Sequence, residues 1–96
     1  MQGLNEDIRF GIPSDVVGAE VDGEMVLLNA RTGVYYSLDS VGARFWVLVG
    51  EGRTLGGIMS ALLTEYDVES AVLRSDLEAL ISDLQENALL RVSAPD

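Results

Sequence analysis

The 96-residue chain has no cysteine, no histidine and no lysine, and all six of its cations are arginine. These absences together remove disulfides, thiolate zinc sites, Cys or Ser–His nucleophilic dyads, histidine general bases and Schiff-base lysines. Enzyme chemistry would have to rest on carboxylates, tyrosine, serine and arginine, so the composition argues against a catalyst and calls for no cofactor. No apolar run reaches the ~18 residues of a membrane span. The opening MQGLNEDIRF carries acids and lacks the apolar stretch of a signal peptide, so a cytoplasmic location is expected. Sixteen acids against six arginines give a net charge of −10. That charge repels a phosphate backbone and inclines the protein toward a basic or amphipathic peptide.

Enough apolar residue is present, at 48%, to build one core in one domain. Residues 1–15 read as an N-terminal arm, in which Ile8, Phe10 and Ile12 alternate as in a short strand, and residues 16–96 read as the domain proper. VVGAEV (16–21) is a first strand, with Gly18 marking a weak point or a bulge. Asp22-Gly23 turns the chain into a second strand at residues 25–28. Thr32-Gly33 turns it again into a third, Val34 to Leu38.

Three helices follow. Asp39 or Ser40 caps the first, whose apolar face carries Val41, Phe45, Trp46, Leu48 and Val49 and which stops at Gly50-Glu51-Gly52. Thr54 caps the second, which runs to about Tyr66, and Gly56-Gly57 should fray its start at ~1 kcal/mol each. The third spans about Ser70–Glu86, with Leu73, Leu77, Leu80, Ile81 and Leu84 on one face and Asn87 taking the left-handed conformation at its end. Leu89, Leu90 and Val92 return to close the core. The fold class is α+β: a three-stranded antiparallel sheet followed by three helices, winged-helix-like with the sheet first.

The third strand is the candidate site. It is apolar, uncharged between Gly33 and Leu38 and without proline, which is poor protection for a sheet edge left open. An extended peptide pairing with that edge would explain it, and proline at Tyr35 or Tyr36 should then remove an edge donor. Val34, Tyr36 and Leu38 face one way, Tyr35 and Ser37 the other. The third helix would wall the groove, with Leu73 and Asp76 on its rim beside Leu77 and Leu80. The acids Glu65, Asp67 and Glu69, and Glu20, Asp22 and Glu24, read as solvated surface, since neither set has calcium-loop spacing and no metal site is expected. The glycine pairs form no phosphate-binding pattern, having neither a preceding strand nor a lysine.

The pieces LLN and TGVYYSLD of the hairpin, VGARFW, the GRT turn, YDV, and SDLEALISDLQENALL stand in an order that resembles the PqqD-like family of RiPP recognition elements over residues 22–92. More narrowly they resemble the stand-alone recognition half of a split lasso-peptide B protein. The resemblance implies a non-catalytic domain. The leader of a ribosomally made precursor adds to it as a fourth antiparallel strand beside the third strand and against the third helix. Carried onto this chain, the strand contacts are Arg31, Val34, Tyr35, Tyr36, Ser37 and Leu38, and the helix contacts are Leu73, Asp76, Leu77 and Leu80. The implied partners are the leader peptide, a separate leader peptidase and a cyclase. Gly56-Gly57, in place of an acidic helix start, and Asn87, in place of glycine, depart from the family pattern. The alternatives are a winged-helix DNA-binding regulator, which the charge opposes, and a PqqD-type peptide chaperone for a radical SAM enzyme.

Overall fold

In the computed structural model, which describes residues 5–22 and 24–93, five strands and three helices share one core. The elements are β1 (Arg9–Gly11), β2 (Val16–Val21), β3 (Glu24–Asn29), β4 (Tyr35–Leu38), α1 (Ser40–Gly50), α2 (Leu55–Glu65), α3 (Ser70–Glu86) and β5 (Arg91–Ser93). The meander β2-β3-β4 is antiparallel throughout, with Leu27 opposite both Gly18 and Tyr36. Its strands alternate, so Val16, Leu27 and Leu38 are buried against the helices while Val17, Val21 and Tyr35 stay exposed. The third strand of the sequence reading is β4, and it starts at Tyr35, one residue later than expected.

The helices form where their caps and apolar spacing dictate. Asp39 Oδ1 accepts the Gly42 N–H at 2.7 Å to start α1, and Thr54 Oγ1 accepts the Gly57 N–H at 3.1 Å to start α2. Leu73, Leu77, Ile81 and Leu84 of α3 are buried at steps of three and four residues, each such side chain worth roughly 1.5–3 kcal/mol out of water. They meet Phe45, Leu48, Ile58 and Leu62 from α1 and α2 in a single cluster.

Four local expectations are revised. Gly18 marks no bulge, because the β2–β3 ladder continues through it. A Cβ there would lie 3.0 Å from the Trp46 indole nitrogen, so glycine is needed for the close approach of α1. The start of α2 is held rather than frayed: Leu55 and Gly56 donate their N–H groups to the carbonyls of Ile8 and Glu6, at 3.1 and 2.8 Å. The end of α3 is a Schellman turn whose left-handed residue is Ala88 (φ 57°), not Asn87 (φ −97°). There the Leu89 N–H reaches the Leu84 carbonyl and the Ala88 N–H that of Gln85. Finally, the sheet of three strands is accompanied by a second, small one, in which β1 pairs antiparallel with β5 and sets Phe10 opposite Val92. Ile8 is buried and the Phe10 ring meets Phe45 edge to face at 5.6 Å, so the arm packs on the core and Leu89 and Leu90 close it.

Candidate functional groove

β4 is an outer strand of its sheet, hydrogen-bonded to β3 on one side. The Asn29 N–H donates to the Val34 carbonyl at 3.0 Å, which makes that pair a hydrogen-bonded one. In an antiparallel ladder such pairs alternate with open ones, so Tyr36, opposite Leu27, bonds inward. Tyr35 and Ser37 therefore turn their N–H and C=O groups to the open edge. The edge donors are thus at 35 and 37, and proline at Tyr36 would break the β3 ladder instead.

The inner face of β4 looks across a groove to α3. A cavity of about 650 Å³ opens there, lined by Leu38, Asp39, Val41, Gly42, Tyr66, Asp67, Val68, Leu73, Asp76, Leu77 and Leu80. Five of the expected site residues meet in it: Leu38, Leu73, Asp76, Leu77 and Leu80. Leu73 is only 2% exposed and lies on the floor rather than the rim, as does Leu77. Asp76 and the half-buried Leu80 form the rim.

Beyond the cavity the groove is bridged. The Tyr36 hydroxyl donates to Asp83 Oδ2 of α3 at 3.2 Å. Partial burial, followed by the neighbouring Asp83 carboxylate, pushes this phenol above the ordinary tyrosine value. One turn further on, Asn29 Nδ2 donates to the Ala88 carbonyl at 2.8 Å. Asn29 is 1% exposed, and its Oδ1 accepts the N–H groups of Arg31 and Thr32 at 2.9 and 3.1 Å. It thereby shapes the Thr32-Gly33 turn, with Gly33 left-handed at φ 78°, and ties that turn to the end of α3.

The other expected residues lie around the groove without lining the cavity. Tyr35, 70% exposed, and Ser37 stand on the far face of the sheet. Arg31 lies at the turn, 3.5 Å from Asp15, and Val34 immediately precedes β4. Sequence reasoning missed Asn29, because an asparagine before a turn looks like any other turn residue. It also missed Asp39, Val41, Gly42, Tyr66, Asp67 and Val68, for which the apolar position of Val41 beside a small Gly42 was the available signal. Two of the acids taken as solvated surface have places of their own. Asp67 lines the cavity, and Glu65 accepts two bonds from Arg44, at 2.8 and 2.9 Å. That pairing holds the Glu65 carboxyl below the usual carboxylate range.

Known proteins share this fold. The family described as coenzyme PQQ synthesis protein D (PqqD) matches residues 24–90, from β3 to the Schellman turn. No curated protein matches the chain significantly. Two solved structures do. One is TbiB1 in complex with the TbiA(beta) leader peptide, 38% identical, with a TM-score of 0.78 over 88% of this chain and 98% of that one. The other is a lasso peptide synthetase B1 complexed with the leader peptide, 29% identical, with a TM-score of 0.78 over 86% of this chain and 98% of that one. With the family matching well over half of its residues and the same fold in a relative of this identity, the chain belongs to the PqqD-like family of RiPP recognition elements.

Proposed function

We propose that this protein binds the leader segment of a ribosomally made precursor, of the lasso-peptide type, without catalysing a reaction on it. The open edge of β4 beside an apolar groove is the observation that carries the reading. The leader adds as an antiparallel strand against Tyr35 and Ser37, flanked by Arg31 and Val34. The side chains it turns inward fall beside Tyr36 and Leu38 and against Leu73, Asp76, Leu77 and Leu80 of α3. Backbone bonds supply affinity that is tolerant of sequence, and the cavity supplies selection. Residues 16–96 carry the recognition, and residues 1–15 form an arm whose Ile8 and Phe10 pack on the core. The loaded protein then presents the precursor to a separate leader peptidase, and a cyclase acts afterwards. The site of action is the cytoplasm, in keeping with the lack, among the described residues, of any helix long and apolar enough to cross a membrane. Leader recognition in the two solved relatives supports the reading.

The test is fluorescence polarisation of a labelled leader peptide from an adjacent precursor gene, with a scrambled control. Saturable binding, lost in Tyr35→Pro or Ser37→Pro proteins that keep their fold, is the expected result. Equal binding of the leader and the scrambled peptide would overturn the reading.

A further inference from the structure

The seam between β4 and α3 has a direction. The turn before β4 meets α3 at Ala88, Tyr36 meets it at Asp83, and Leu38 shares the cavity with Leu80, Leu77 and Leu73. The strand therefore runs against the helix. A peptide pairing antiparallel with β4 runs along the helix, so its N-terminal end lies at the cavity and its C-terminal continuation passes the Arg31 turn. The inward side chain opposite Leu38 is the one that enters the cavity, and the residues before it pass the cavity mouth.

That mouth is charged with one sign. Asp39, Asp67 and Asp76 line the cavity together with apolar groups, and the described lining holds no arginine. Asp39 spends one oxygen on the Gly42 N–H. Neither Asp67 nor Asp76 forms an ion pair among the described residues; the nearby cation, Arg44, is committed to Glu65. The other end of the seam carries Arg31. An apolar occupant alone would leave these carboxylates facing a partly dehydrated neighbour, whereas a basic side chain on that occupant would meet them.

Resting on the strand-addition reading, we propose that the groove selects a peptide in a fixed charge order, with a lysine or arginine two residues N-terminal to the apolar anchor that fills the cavity, on the same face of the added strand. The basic group reaches Asp67 and Asp76 while the anchor seats on Leu73, Leu77 and Leu80. Such rim pairs act over a short range and weaken in salt.

The experiment compares the Asp67→Asn/Asp76→Asn double variant with wild type and with an Asp7→Asn/Glu20→Gln control that removes the same charge elsewhere. The labelled leader of the adjacent precursor gene is titrated at low and at high salt. We expect the cavity variant to bind about tenfold more weakly at low salt, with a flatter salt dependence, and the control to match wild type. Replacing the leader's basic residue two positions before the anchor by glutamine should weaken wild type equally and leave the cavity variant unchanged. Saturable wild-type binding that neither change weakens would overturn the charge order while leaving leader recognition standing. So would a bound leader with no lysine or arginine two positions before its anchor. Failure of wild type to distinguish leader from scrambled peptide would overturn both.

Discussion

The two ends of the β4–α3 seam are built in opposite ways. At the C-terminal end of α3 the strand is tied to the helix by side-chain bonds, Tyr36 to Asp83 and Asn29 to the Ala88 carbonyl. At the N-terminal end the same two elements part around a cavity floored by leucines. The tied end sets the spacing, and the open end inherits it. A groove kept apart by fixed struts needs less reorganisation to receive a ligand than one that must be pried open, and pre-formed sites lose less free energy on binding for that reason.

The contrast is most strongly broken at the floor. Leu77→Ala removes a side chain that serves both core and cavity, and should cost about 3 kcal/mol in urea denaturation followed by Trp46 fluorescence. Leu80→Ala, on the half-buried rim, should cost about 1 kcal/mol yet still weaken leader binding severalfold by polarisation. An equal stability loss in the two would mean that floor and rim are not distinct.

Asn29→Ala attacks the tied end. It leaves the Ala88 carbonyl without its donor and the turn without its acceptor, an expected loss of about 2 kcal/mol by thermal denaturation. Leader binding should weaken in the surviving folded protein as β4 loses its spacing from α3. A smaller effect is expected of Tyr36→Phe, about 1 kcal/mol. Its pH signature is specific. The phenol of the folded protein ionises above the ordinary tyrosine value, so the stability it contributes is complete below about pH 10 and is lost as pH rises through the folded value. Stability measured toward that alkaline range should fall more steeply in wild type than in Tyr36→Phe.

Ala88→Gly works in the other direction. Ala88 holds a left-handed conformation that glycine adopts freely, so the variant should gain about 0.5–1 kcal/mol and strengthen the tied end. The smallest effect lies outside the seam. Glu65, its folded pKa lowered by Arg44, contributes stability above the ordinary carboxylate value that is lost as pH falls through the folded value. The Arg44→Gln variant should lack that acid-side loss in a pH series of melts.

Much of this was legible in the residues. Alternation placed Tyr36 and Leu38 inward and Tyr35 outward, and the three- and four-residue steps of leucines gave α3 the bounds the structure has. Asp39 and Thr54 announced two helix starts because capping is settled within four residues. Leu73, Asp76, Leu77 and Leu80, expected to form a helix rim, all line the cavity, but Leu73 and Leu77 lie on its floor. A helical pattern tells which face is apolar and not how far a neighbouring element covers it.

What the sequence by itself determined, then, is what short-range rules set: a three-stranded meander before three helices, the caps that start the first two helices, the Thr32-Gly33 turn, and an uncharged edge strand. Tertiary structure alone decided the rest, because it depends on pairs far apart in the chain. Asn29 meets Ala88 across 59 positions and Tyr36 meets Asp83 across 47. The carbonyls of Ile8 and Glu6 steady Leu55 and Gly56, at a helix start that local propensity condemns. The cavity gathers Leu38, Asp67 and Leu80 from three separate segments, since packing obeys complementarity of surfaces rather than order along the chain.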